Sequence, residues 1–432
     1  MLPFRMTSIE KYHLFDDSPE FPNNFFARFT FSGSLNRELL TESFRAAVER
    51  QVRGRAIAQR KGSQWRWVEL PDLNPEIEFH EQAEIHFEPL DLRRTPGYQA
   101  KCYIGPNTTQ VTMQVHHALT DGLGGLGFVR DWMLIYDNLF HGRADDAGLG
   151  KIQPDLLFKR NQIGLASWSY LKNLWRQPIA LFGAAKFIGR RFQTLPKKTD
   201  PDLPAAIFPQ SVSMTIERET VLSLKPKLTA RRVTLNDFLL ATLFATLRDV
   251  SSNTDNRACW RVIVPISIRQ SWERSMPVAN RTTLVQLDRF AHQTNDLLGL
   301  AQGIHFELGV IRSWMLDRMF LLAIRLMSLS NTWLVRNAGP GKPRATTLLT
   351  NLGKPFVRSG LRTKDGRVMV GDATIVSADL LPPIRAHLPL SFSAVQYAGD
   401  LRITAHVDTR HVSLAEAEQF LQKWRDQLVS VL

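Results

Sequence analysis

Residues 114–125 read QVHHALTDGLGG. Two imidazoles stand side by side, a carboxylate follows the second by four residues, and Gly122, Gly124 and Gly125 crowd behind it. A neutral imidazole can take a proton from an attacking hydroxyl, amine or thiol near neutral pH. Three chemistries fit the stretch. A metal site is the weakest. Zinc recruits three or four His, Cys or carboxylate ligands, adjacent histidines on an extended chain point to opposite sides, and no CxxC, HxH or HExxH accompanies them. A second reading is a hydrogen-bonded histidine pair at a strand-to-helix turn. The third is general-base catalysis, with glycines allowing unusual backbone angles and close substrate approach and Asp121 fixing the loop by pairing with an arginine. The aspartate and the glycine burst favour the third.

The elements that must position these residues are legible nearby. Residues 108–115 alternate, with Val111, Met113 and Val115 on one side and Gln110, Thr112 and Gln114 on the other, which predicts a strand running into the histidines. FVRDWMLIYDNLF, after Gly127, predicts a helix. Upstream, 25–31 (FFARFTF) is a strand and 35–50 a helix capped by Ser34 or Asn36, with further strands at 65–68 and 83–87. Residues 163–195 carry aromatic and basic residues at helical spacing, interrupted at Pro178. LPKKTDPDLPAAIFPQ, 195–210, holds four prolines and reads as a linker.

The second half predicts a strand at 212–216, a helix over 233–250 capped by Thr234, and a buried strand from 260 ending at Pro265. Mostly helical sequence fills 296–336. Strands follow at 346–349, 373–377, 389–397 and 401–407, and a helix closes the chain at 414–431. Both halves mix strands and helices. The expected class is therefore α/β (α+β) in two domains, 1–195 and 212–432, joined by 196–211.

The whole chain narrows the partners. Its 432 residues carry a net charge of +13 and a pI near 9.9, which attracts anions such as phosphates, acidic proteins or an acidic membrane surface. No zinc-finger, homeodomain or RNA-recognition pattern points to nucleic acid. Two cysteines, Cys102 and Cys259, make neither a disulfide framework nor a metal cluster. The start lacks a signal peptide's apolar core and no apolar run reaches the roughly 20 residues that span a bilayer. A cytoplasmic location is expected.

HHALTDG resembles the HHxxxDG signature of the chloramphenicol acetyltransferase and condensation-domain superfamily, which includes alcohol acetyltransferases and wax ester synthase/diacylglycerol acyltransferases. MTSIEKYHLF is similar to that family's N-terminal segment, AAVERQVRGRA to a helix usually ending RHPLLRA, and VTLNDFLLATL to the helix opening the second domain. VPISIR is similar to a strand often written VPVNLR, and LLTNLG to a late SNLG-like strand. The DFGWG motif of the plant BAHD enzymes is absent.

The resemblance implies two chloramphenicol-acetyltransferase-like lobes in a V with a channel between them. It makes His117 the general base, beside His116, and Asp121 structural, followed by Gly122. Asp121 would pair with Arg55, the arginine that closes the RHPLLR-like helix. Thr350 and Asn351 fall where polar residues approach the channel, an expected oxyanion site. Arg269 reads equally as a surface or an interface arginine, and Asn236 and Asp237 as helix-capping residues. The implied reaction moves an acyl group from a thioester, acyl-CoA or carrier-protein-bound, to an alcohol or amine, with no metal or cofactor. The basic amphipathic stretches at 163–195 and 313–336 either pack on the lobes or lie against a membrane surface.

Overall fold

The computed structural model describes residues 4–432 except 71, 165, 166, 168–170, 177, 179–188, 196–206, 252, 254, 339, 340, 342 and 358. Residues 196–206 of the expected linker, and 165, 166, 168–170, 177 and 179–188 of the basic helices expected over 163–195, lie outside the described residues. The first half runs β1 (Phe4–Arg5), α1 (Ser8–Phe15), β2 (Asn24–Ser32), α2 (Arg37–Glu49), β3 (Ala56–Lys61), β4 (Gln64–Glu69), β5 (Ile77–His80), β6 (Tyr98–Ile104), β7 (Thr108–His116) and α3 (Gly122–Phe140). The second half begins with β8 (Ser211–Ile216), α4 (Arg218–Ala230), α5 (Leu235–Val250), β9 (Cys259–Ser267), β10 (Thr282–Phe290), α6 (Leu297–Ser313), α7 (Arg318–Met327) and α8 (Asn331–Ala338). It continues with β11 (Thr347–Gly353), β12 (Thr363–Lys364), β13 (Arg367–Val370), β14 (Ala373–Leu381), β15 (Leu390–Tyr397), β16 (Asp400–Val407) and α9 (Leu414–Val429).

Two lobes are built on two mixed sheets. The first sheet has the order β12-β13-β14-β2-β7-β6-β5, the second β10-β9-β11-β15-β16-β8, and a small sheet β1-β4-β3 stands apart. The first sheet does not divide from the second at the expected linker. β12, β13 and β14 come from the second half of the chain and complete the first lobe, with β14 antiparallel to β2 from Thr374↔Ser32 to Leu381↔Phe26. The sequence pattern at 373–377 shows a strand but carries no mark of which sheet it joins.

In the first lobe, β7 is central and buried on both faces: Val111, Met113 and Val115 are covered, and so are Thr112 and Gln114. Gln114 Nε2 donates to the Glu88 carbonyl at 3.0 Å, so 83–88 lies against that polar face as irregular chain. This is why the strand expected over 83–87 is absent: only Phe87 forms a bridge, to Phe208. Helices α2 and α3 pack together through Phe44, Phe128 and Trp132, whose indole N–H donates to Ser43 Oγ at 3.1 Å. Asn36, not Ser34, caps α2 by accepting from Leu39 N.

In the second lobe, α5 and α9 pack on the sheet, and Trp424 Nε1 donates to Thr242 Oγ1 at 2.9 Å. Thr234 and Asp237 form a capping box at the start of α5. β9 passes through Pro265 to Ser267, because β11 pairs with β9 only at Val262 and Ile263. The proline's missing N–H falls beyond that pairing. Of the amphipathic stretch 313–336, Leu321, Ile324 and Leu334 are buried against α1 and its neighbours, which is the packing reading, while Leu326 and Leu329 are exposed. Among the described residues no helix is long and apolar enough to cross a membrane.

Because β14 pairs with the edge of β2 that would otherwise be left open, residues 1–195 expressed alone should not unfold cooperatively, whereas the full chain should. Thermal melts followed by circular dichroism on both proteins check this, and a cooperative melt of the fragment would refute the completed-sheet account.

Candidate active site

β7 ends at His116, and residues 117–121 form the turn that leads into α3. The two histidines have separate surroundings. His116 is fully buried, and its Nδ1 accepts from Ala118 N at 3.0 Å, so the proton sits on Nε2, 3.6 Å from Asp17 Oδ2. This ring shapes the turn. His117 is half-buried in the wall of a cavity of about 720 Å³ at the lobe junction. Its ring stacks on His13 (centroids 4.8 Å apart, planes 12° apart) and meets the edge of Phe25 at 5.1 Å.

The backbone of His117 is pinned from both lobes. Its N–H donates to Asn23 O at 2.8 Å, and its carbonyl accepts from Asn280 Nδ2 at 3.0 Å. His117 Nδ1 is buried and, among the described residues, faces only the residue's own backbone. Nε2 is therefore the nitrogen left to meet a molecule in the cavity. Burial lowers the His117 pKa to about 4, opposed by Asp121 and reinforced by His116 and Arg385. The imidazole is neutral across the physiological range.

Asp121 borders the same cavity, but its carboxylate is spent on the fold at the lobe junction. It is almost fully buried, caps α3 by accepting from Gly124 N at 2.9 Å, and takes a two-pronged ion pair from Arg269 at 2.7 and 2.8 Å. Arg281 N at 2.7 Å and Thr282 Oγ1 at 2.9 Å complete its shell. Burial alone would raise its pKa, but Arg269 and the N–H donors outweigh burial and the net shift is downward. Arg55 is not the partner. It lies on the surface with Glu69 at 3.1 Å. Arg269, at the close of the VPISIR segment, approaches from the other lobe, which local sequence could not distinguish from a solvent-facing arginine.

The arginine of RQVRGR that reaches the turn is Arg53. It is buried, donates to the carbonyls of Leu119 (3.0 Å) and Val278 (2.6 Å), and pairs with buried Glu10 at 2.6 Å. Burial would raise Glu10, yet Arg160 and Arg53 hold it at about 2. Residues 278–282 thus follow 117–121 link by link, with Thr120 Oγ1 donating to Ala279 O at 3.2 Å.

The glycines serve space rather than unusual angles. None of Gly122, Gly124 or Gly125 has a positive φ. A Cβ at Gly124 would stand 2.0 Å from Thr120 Oγ1, and one at Gly125 would stand 2.8 Å from the Phe25 ring. A Cβ at Gly122 would reach Leu352 of the opposite lobe at 3.1 Å. The helix accordingly begins at Gly122, earlier than its apolar pattern indicates.

Thr350 and Asn351 line the same cavity. Asn351 is partly committed, its Nδ2 donating to Asn236 Oδ1 at 3.3 Å and its Oδ1 accepting from Gly353 N at 3.0 Å. The remaining wall is mostly apolar and drawn from both lobes, including Ile9, Phe25, Leu284, Ile311, Phe320 and Leu388. Among the described residues no group of three or more His, Cys, Asp or Glu is placed to hold a metal ion.

This architecture is the condensation-domain fold. The first condensation domain of the calcium-dependent antibiotic synthetase, in complex with a substrate analogue, matches 99% of this chain and 96% of its own with a TM-score of 0.70 at 14% identity. Polyketide synthase associated protein 5 from Mycobacterium tuberculosis covers 100% and 99% with a TM-score of 0.68 at 16% identity. The starter condensation domain of rhizomide synthetase, in complex with C8-CoA, covers 99% and 94% with a TM-score of 0.68 at 14% identity. No family model matches the sequence, and no curated protein is detectably similar to it.

Removing Arg269 leaves a buried carboxylate without its cation, so Arg269→Ala should cost roughly 3–5 kcal/mol, while Arg55→Ala should cost at most about 1 kcal/mol. Urea unfolding of both variants measures the contrast, and equal losses would contradict it. The histidines set an acid limit. His117 and His406 sit at about 4 through burial, and burial also lowers His13 well below its ordinary value. Below pH 6.5 the unfolded chain gains protons that the folded chain refuses until about pH 4, so stability should fall as pH drops through that window. Urea midpoints at pH 7 and pH 5 test the sign.

Proposed function

We propose that this protein is an acyltransferase that moves an acyl group from a thioester to a hydroxyl or amine, with His117 as the general base. One observation carries the reading. A neutral imidazole, with Nδ1 buried in the fold, lies in the wall of a mostly apolar junction cavity of about 720 Å³, within the ~300–1,000 Å³ typical of ligand sites.

The reaction balances with this one base. The acceptor's oxygen or nitrogen attacks the thioester carbonyl carbon as Nε2 takes its proton. The tetrahedral adduct collapses, the carbon–sulfur bond breaks, and the imidazolium returns the proton to the departing thiolate. The products are an ester or amide and a free thiol, with no acyl-enzyme between. His116 and Asp121 act as positioning residues, since their polar atoms are turned to the fold. The apolar wall supports an aliphatic acyl chain. The positive charge of the chain suits the phosphates of coenzyme A. An acidic carrier protein would be drawn by the same charge, and a freestanding condensation enzyme is the alternative within this reading.

The decisive assay is thiol release from acetyl-, octanoyl- and palmitoyl-CoA with a panel of alcohols and amines, repeated with the same acyl groups on a carrier protein. Octanoyl or palmitoyl donors should outpace acetyl, and a folded His117→Ala variant should lose roughly 10²–10⁴-fold in rate. Rates that survive in that variant would remove His117 as the base. Silence from every donor would favour a binding protein on this fold. Since His117 stays neutral down to about pH 4, kcat/KM should show no loss attributable to this residue between pH 8 and pH 6. A pH–rate profile with an acid limb near 6.5 would contradict the buried, neutral base.

A further inference from the structure

His13 belongs to none of the roles above, yet it stacks on His117 and lines the same cavity. Its tautomer follows from its neighbours. Asn23 Nδ2 lies 3.2 Å from His13 Nδ1, 3.2 Å from His13 O and 3.4 Å from Asp16 Oδ2. The carbonyl and the carboxylate can only accept, so this end of the Asn23 amide is the donating NH2. His13 Nδ1 must then be the bare, accepting nitrogen, and the proton sits on Nε2. The same Asn23 holds His117 in place, because its carbonyl accepts the His117 N–H at 2.8 Å. One residue therefore fixes the ring state of one histidine and the backbone of the other.

We propose that His13 is the hydrogen-bond donor of the reaction centre, offering Nε2–H to the thioester carbonyl oxygen as that oxygen becomes negative. This inference rests on the acyl-transfer reading. In the tetrahedral adduct the oxyanion and the attacking atom are substituents on one carbon, so a donor and a base must work within a few ångströms of each other. Two nearly parallel rings with centroids 4.8 Å apart meet that requirement. The two imidazoles play opposite parts: His117 accepts a proton, and His13 donates a hydrogen bond without losing its proton. Burial and the neighbouring His117, His116 and Arg385 keep His13 uncharged. The role expected for Asn351 is the weaker one, since its amide already serves Asn236.

Two variants separate donation from packing. His13→Phe keeps a flat ring against His117 and removes the donor. His13→Gln sets an amide N–H near the place of Nε2–H. With the wild type, His117→Ala and thermal melts run alongside, His13→Phe should lower kcat by ~10²–10³-fold with KM little changed, and His13→Gln should recover most of that loss. Nitrogen-15 spectra of the imidazoles should show His13 protonated at Nε2 and bare at Nδ1. A folded His13→Phe variant with wild-type kcat overturns the inference while leaving acyl transfer intact, provided His117→Ala is dead. A Gln variant as slow as the Phe variant overturns it too. If the wild type releases no thiol from any donor, the acyl-transfer reading fails and this inference falls with it; in an active enzyme an Nδ1–H tautomer at His13 overturns the donor role alone.

Discussion

A buried carboxylate must keep its partners, and this molecule is arranged around one. Asp121 begins α3 in the first lobe, and its charge is answered by Arg269, 148 residues later in the second. Removing water from the pair costs several kcal/mol per ion, so the pairing is favourable only with good geometry and satisfied lone pairs. Both conditions are met: Gly124 N, Arg281 N and Thr282 Oγ1 take up the remaining acceptor sites. Separating the lobes would strand the charge. The interaction therefore fixes how the lobes meet more than it adds to net stability, and the cavity follows from that docking.

His117 inherits its position from this constraint. Only three residues lie between it and Asp121, and the 278–282 segment that surrounds Asp121 also supplies Asn280 to its carbonyl. Arg53 braces the middle of the turn at Leu119 O and carries the load back to Glu10, Arg160 and Trp67. A second tie between the sheets works likewise: Asp379 on β14 accepts from Arg402 Nε at 2.5 Å and Thr404 Oγ1 at 2.7 Å on β16. In each case a charge that cannot be left unpaired holds parts of the chain that are remote in sequence.

The division between what the sequence disclosed and what it hid has a physical basis. β7, α2, α5 and α9 were legible because alternation, helical spacing and caps are local. The HHALTDG turn was legible because its residue types are unusual together. Arg269 was not separable from Arg55, because an arginine's partner is decided by the tertiary path of the chain. The start of α3 was hidden because glycine disfavours helix by about 1 kcal/mol relative to alanine, and here close packing against Thr120 and Phe25 overrides that penalty. β14 was legible as a strand but not as a member of the first sheet. His13 lies within MTSIEKYHLF, whose resemblance gave it no role, since its meaning lies in a stack with a residue 104 positions away.

The absence of a carboxylate on His117 Nδ1 bears on which substrates the proposed chemistry suits. A histidine whose Nδ1–H meets a buried aspartate can sustain an imidazolium and drive out a poor leaving group. Here, among the described residues, Nδ1 meets no carboxylate, and burial lowers the imidazolium pKa to about 4. Such a group holds a proton only briefly. A thiolate, with an ordinary pKa near 8.5, is a far better leaving group than an alkoxide and needs only that brief protonation. The same weakness of the base places more of the demand on stabilising the carbonyl oxygen. A neutral donor beside His117 answers that demand without adding a charge that would lower the base further.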